Sequence, residues 1–193
     1  MATRRIQTTS DRVDVDLMRQ ALECARQSEY TPSAFCVGCV LATSRGHKRY
    51  PSLVVSTGYS RELPGNTHAE QVAIEKFFDP AARSDKDNKY SDEWKRELEG
   101  EGEGDDGGGL SCYTTMEPCS KRLSGNTSCV ERIVALRGRV RRVYVACVEP
   151  DDFVIDARGT QRLLDEGIDV YLVVDPDDPN LAQECLKVAR GQQ

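Results

Sequence analysis

Apolar residues recur at helical spacing near the start of the chain. Leu17, Met18, Ala21, Leu22 and Ala25 fall on one face of residues 11–28, and Thr9, Ser10 and Asp11 precede them as candidate caps. The period then changes. Residues 36–42 and 53–58 are short apolar runs bounded by turn residues, which predicts two strands joined by the polar, basic stretch 43–52. Helical spacing returns at residues 68–78, where Val72, Ala73, Ile74 and Phe77 form an inner side and Asn66 or Thr67 is a natural cap. Beyond residue 110 the pattern alternates: strand 112–116, helix 127–136, strand 142–148, helix 158–166 stopped by Gly167, strand 168–174, and a closing helix over 180–190. An antiparallel pair followed by strand–helix–strand–helix–strand predicts a three-layer α/β/α sandwich around a five-stranded mixed sheet.

Composition interrupts this rhythm once. Residues 80–109 read as an acidic insert, ending in a Glu/Gly/Asp run with too little apolar surface to order itself. Its tryptophan, Trp94, reads as a local packing anchor. The formal net charge of −6 belongs to this segment: residues 85–106 hold ten acidic and four basic side chains, leaving 22 of each sign elsewhere. A neutral body lacks the basic face expected of a nucleic-acid binder. With 193 residues there is room for one well-buried domain, expected over residues 13–193 behind a flexible N-terminus of residues 1–12. The eight cysteines are scattered, several within apolar runs, and the chain opens without a signal-like segment, so a reduced, cytoplasmic setting is expected. No apolar run approaches the ~20 residues of a membrane-spanning helix.

The candidate chemistry lies at predicted element boundaries. His68 and Glu70 open one helix, while Cys119 follows a strand after Glu117-Pro118, and Cys129 falls in the first turn of the next helix. Cysteine alone is commonly a small buried hydrophobe. In this order, however, one imidazole and two thiolates supply three positions of a tetrahedral Zn²⁺ and leave the fourth for water, whose pKa the metal lowers. Glu70 stands where a proton carrier is needed, close to the metal without binding it. The pattern is that of zinc-dependent amino-hydrolases acting on nucleobase-like rings. The nine residues between the two cysteines, Ser120 to Ser128, exceed what ligation requires. Lys121, Arg122, Ser124, Gly125, Asn126 and Thr127 make this loop a candidate anion cradle.

These same segments carry a resemblance. Residues 113–126 (YTTMEPCSKRLSGN), the gap to Cys129, and residues 58–70 (GYSRELPGNTHAE) resemble the pyrimidine deaminase of riboflavin biosynthesis, most closely its fungal form. The likeness extends to residues 37–40, Glu149-Pro150, and the Gly159, Leu163, Gly167, Ile168 pattern. It implies a cytidine deaminase-like fold, one Zn²⁺ per chain on His68, Cys119 and Cys129, Glu70 as proton shuttle, and a homodimer. The implied substrate is a 2,5-diamino-6-(ribitylamino or ribosylamino)pyrimidinone 5′-phosphate that loses its 2-amino group to water, with Glu149 among the substrate contacts. Bacterial relatives carry Pro-Asn-Pro where this chain has Ser33-Ala34-Phe35-Cys36, so Ala34, Phe35 or Asn66 is expected to take the asparagine's place. They also carry a second cysteine where this chain has Val130. No reductase-like segment follows, so reduction is expected of another polypeptide. Two further readings stand beside this one: a deaminase acting on nucleic acid or nucleotides, and a non-enzymatic zinc-stabilised scaffold. The first calls for a basic path, of which only residues 48–49 and 137–142 offer a trace. The second gives no reason for Glu70.

Overall fold

Asp11 holds extended backbone (φ −65°, ψ 136°) and its side chain accepts the Val13 N–H, so helix α1 begins cleanly at Arg12 and runs Arg12–Ala25. The computed structural model describes residues 5–47, 50–78, 109–122, 124–148 and 158–192. The acidic insert, Gly109 excepted, lies outside these residues, as do Trp94 and Glu149. In chain order the elements are β1 (Gln7–Thr9), α1, β2 (Gly38–Thr43), β3 (Val54–Tyr59), α2 (Ala69–Phe78), β4 (Leu110–Thr114), α3 (Cys129–Ala135), β5 (Val140–Val145), α4 (Gly159–Asp165), β6 (Asp169–Val173) and α5 (Leu181–Ala189).

The strands form one sheet in the order β1-β6-β5-β4-β2-β3. β2 runs antiparallel to both β3 and β4, while β4, β5, β6 and β1 are mutually parallel. The mixed α/β/α sandwich is therefore as expected, but among the described residues the sheet has six strands instead of five. The extra strand is Gln7–Thr9, from the stretch expected to be flexible, pairing with Tyr171, Leu172 and Val173. Its three residues are polar and largely exposed. They offer no apolar alternation to read, and the strand exists because β6 presents an open edge.

Alternation along the strands divides the core into two. Cys39, Leu41, Cys112 and Val143 face α2, α3 and α4. Val40, Ala42, Tyr113 and Tyr144 face α1 and α5. Two glycines let helices approach the sheet closely. A Cβ on Gly38 would lie 1.9 Å from the Ala21 carbonyl oxygen, and one on Gly58 would lie 2.5 Å from that of Ala69. The second approach seats the first turn of α2 against β3. Because β3 and β4 run the same way, α2 and α3 both start at one edge of the sheet, the carboxyl edge where α/β folds gather their ligands.

Candidate active site

His68 immediately precedes α2, and its carbonyl accepts the Val72 N–H at 2.9 Å. Thr67 does not cap this helix: its hydroxyl donates backwards to the Leu63 carbonyl at 3.0 Å. Cys129 is the first residue of α3, behind a Ser128–Glu131 capping box. Cys119 is tied to that same turn, its carbonyl accepting the Val130 N–H at 3.2 Å and its sulfur the Cys129 N–H at 3.4 Å. The two thiol sulfurs each lie 3.5 Å from His68 Nδ1. One nitrogen and two sulfur donors thus lie within 4.8 Å of one another, a set that suits zinc far better than the oxygen-seeking magnesium or calcium.

Electrostatics in this cluster are tightly coupled. A hydrogen bond from Cys129, reinforced by His68 and the Cys129 amide, overcomes burial and holds Cys119 well below the ordinary thiol range, at about 4. The same bond, together with burial, holds Cys129 up. Glu70 is only 3 % exposed. Burial pushes its carboxyl above the ordinary value, the Cys119 thiolate adds to the rise, and His68 opposes it. Thr114, at the end of β4, donates its hydroxyl to Glu70 Oε1 at 3.0 Å. Next along the chain, Glu117 accepts both the Thr160 N–H (2.7 Å) and its hydroxyl (2.8 Å), which anchors the Pro118-Cys119 turn to α4.

Residues 11–147 match the cytidine and deoxycytidylate deaminase zinc-binding region. The chain belongs to that family. Among individual proteins, this deaminase-family chain is 41 % identical over 174 residues to the diaminohydroxyphosphoribosylamino-pyrimidine deaminase of Schizosaccharomyces pombe. That alignment covers 90 % of the chain but 34 % of the yeast protein, so the chain spans about a third of its relative's length. The Rib2 deaminase of Aspergillus oryzae, solved in complex with DARIPP, superposes with a TM-score of 0.71 at 33 % identity, covering 94 % of this chain and 92 % of that one. A Thermotoga maritima deaminase/reductase, at 19 % identity and a TM-score of 0.60 over 93 % of this chain and 40 % of its own, shares the fold.

A pocket opens over the donor cluster in this deaminase-family chain. Of the expected site residues, Ala34, Phe35, Asn66, His68, Glu70, Cys119, Lys121, Arg122 and Ser124 line it. Gly125, Asn126 and Thr127 are exposed and lie outside this lining, in a loop that turns at Gly125 (φ 78°). Arg122 also differs from a solvated loop cation. It is buried, with Nη1 donating to Gln71 Oε1 at 2.9 Å and Nη2 to the Asn66 carbonyl. Sequence reasoning missed Ser33, Val37, Ser60, Arg61, Met116 and Glu117 in the lining. Glu117 sits in the quoted Glu-Pro-Cys motif and was readable from it; Arg61 enters through a turn whose backbone nothing in the residue types foretells.

Proposed function

We propose that the chain is a zinc-dependent deaminase of a phosphorylated aminopyrimidine, converting 2,5-diamino-6-(ribitylamino or ribosylamino)pyrimidinone 5′-phosphate and water into the 2-oxo product and ammonia. The observation that carries this reading is buried Glu70, which lines the same pocket as His68 and Cys119, two of the three clustered donors that Cys129 completes. His68, Cys119 and Cys129 would hold the metal, which when bound supplies Lewis-acid activation of a water. Glu70, its proton affinity raised by burial, accepts a proton from the attacking water and delivers it to the ring nitrogen; it then takes the second proton from the newly formed hydroxyl and delivers it to the amine, which departs as ammonia. The carbon–nitrogen bond to the exocyclic amine breaks as the new carbon–oxygen bond matures. Thr114 holds the carboxylate in place. Ala34, Phe35 and Asn66 supply wall groups for the ring and its side chain.

Support for a phosphate comes from the pocket's cations. Lys121 is exposed at the rim. Arg122 lies behind it with an amide and a carbonyl as its hydrogen-bond acceptors, while its buried Nε has no partner among the described residues. A guanidinium held this way keeps its positive field for a ligand. Lys121 then contacts the phosphate, Ser124 adds a hydroxyl, and Arg122 supports both from below. Glu149 is carried in this reading by resemblance alone, as are a homodimeric assembly and a cytoplasmic setting. Among the described residues no helix is long and apolar enough to cross a membrane.

Kinetics on matched substrates test the reading. Lys121→Ala should raise KM for the 5′-phosphate compound by roughly tenfold or more, the worth of one charge-assisted hydrogen bond, and change turnover of the dephosphorylated compound little. Equal losses on both would remove the phosphate from this loop. Preferred deamination of cytidine or of single-stranded DNA would replace the substrate class altogether.

A further inference from the structure

Arg61 combines two features that the chemistry above does not use. Its backbone has φ 65°, a left-handed conformation that costs a branched-out side chain energy and that glycine adopts freely. Its guanidinium also lines the pocket and spends its donors on the neighbouring loop. Nε and Nη2 reach the Glu29 carbonyl, Nη1 reaches the Phe35 carbonyl at 3.3 Å, and Nη2 touches Cys36 Sγ at 3.3 Å. The left-handed turn persists because both neighbours are pinned. Ser60 N–H donates to the Val37 carbonyl at 2.9 Å and Ser60 Oγ accepts the Val37 N–H at 3.0 Å. On the other side Glu62 accepts the Tyr59 N–H at 3.1 Å and the ammonium of buried Lys76 at 2.7 Å. Arg61 N–H itself donates to the Thr67 carbonyl at 2.8 Å, closing the turn that leads straight into His68.

We propose that Arg61 is a positioning residue for substrate recognition: one guanidinium, aimed by a strained backbone, clamps residues 29–36 so that Ala34 and Phe35 form a fixed pocket wall. A planar fork can bridge the Glu29 and Phe35 carbonyls at once, which a lysine ammonium on a flexible stem cannot reproduce. The wall it holds, Ser33, Ala34 and Phe35, lines the same pocket as His68 and Glu70. Recognition at this wall therefore depends on the rigidity of its backbone, which the clamp supplies. The proposal rests on the deaminase reading for its kinetic consequence and is independent of it for its structural one.

Arg61→Gly removes the guanidinium while easing the backbone, so the variant is expected to fold with unchanged zinc content and a melting temperature no lower than the parent's. KM for the aminopyrimidine phosphate should rise about tenfold or more, with kcat within about threefold. Amide hydrogen exchange should accelerate at residues 34–36, where Cys36 N–H donates to the Ala189 carbonyl, and stay unchanged in α2. Millimolar guanidinium ion should restore both KM and protection, and Arg61→Lys should behave like the glycine variant. Parental KM and exchange in Arg61→Gly, or full function in Arg61→Lys, would overturn the clamp. Absence of turnover in the parent, with accelerated exchange in Arg61→Gly, would sink the deaminase reading and uphold the clamp.

Discussion

On the inner face of α1, the buried carboxylate of Asp14 accepts the Tyr113 hydroxyl at 2.9 Å and the Thr9 hydroxyl at 2.7 Å, with Arg45 3.5 Å away. Across the sheet, the equally buried Glu70 accepts one threonine hydroxyl and lies beside two thiols and an imidazole crowded together. The first carboxylate is embedded in scaffold. Tyr113 stacks on Tyr144 with centroids 4.2 Å apart, and Tyr144 on Tyr171 at 4.9 Å, a ladder across three registered parallel strands. Burial pushes the Tyr113 phenol up, so it stays a donor to Asp14. On that face the polar groups are matched to hydrogen-bond partners. On the other, the protons are contested: Cys119 is driven down, Cys129 and Glu70 up. A matched buried network stabilises a fold, whereas contested protons beside a clustered donor set are what hydrolytic chemistry needs.

Mutations on the two faces should therefore fail differently. The largest effect is expected from Cys129→Ser, which removes a donor and should abolish zinc retention and turnover together; metal analysis beside an activity assay reads both. Glu70→Gln should keep zinc and melting temperature and lower kcat by ~10²–10⁴-fold, the usual span of general acid–base catalysis. Near-parental turnover there would erase the contrast between the two buried carboxylates. Asp14→Ala should do the opposite, costing about 1–3 kcal/mol in denaturant unfolding because the Tyr113 hydroxyl is left buried without its acceptor, with kcat on the folded protein unaltered. The smallest effect concerns Asp175, just beyond β6, which pairs with Arg19 of α1. Its hydrogen bond from Arg19 holds its carboxyl below the ordinary range. A depressed carboxyl stabilises the fold above its unfolded value, near pH 3.9, and that contribution is lost as pH falls through the lowered one. The gap in melting temperature between the parent and Asp175→Asn should be constant near neutrality and close only in acid.

The same contrast explains what could be read from residues alone. Helices α1 and α2 carry apolar stripes that force their inner faces, and strands β2 to β6 show runs that demand burial, so the sandwich was legible. His68, Glu70, Cys119 and Cys129 were legible because chemistry restricts which residue types can serve. β1 was not: Gln7-Thr8-Thr9 is set by a neighbouring strand's open hydrogen bonds. Arg122 was legible as a cation of the candidate anion cradle but its burial was not, since that depends on acceptors at Asn66 and Gln71 more than fifty positions away. Arg61 depends on a turn conformation that side-chain types do not encode.

The central claim is the reaction itself. Zinc-loaded protein incubated with the ribitylamino and ribosylamino pyrimidinone phosphates in turn, and followed by mass spectrometry with a coupled ammonia assay, tests it most directly. The account predicts a product heavier by about one dalton, as an amine gives way to oxygen, with one ammonia released per conversion and both signals lost in Glu70→Gln. Fully metallated, folded protein that leaves both compounds unchanged would contradict it.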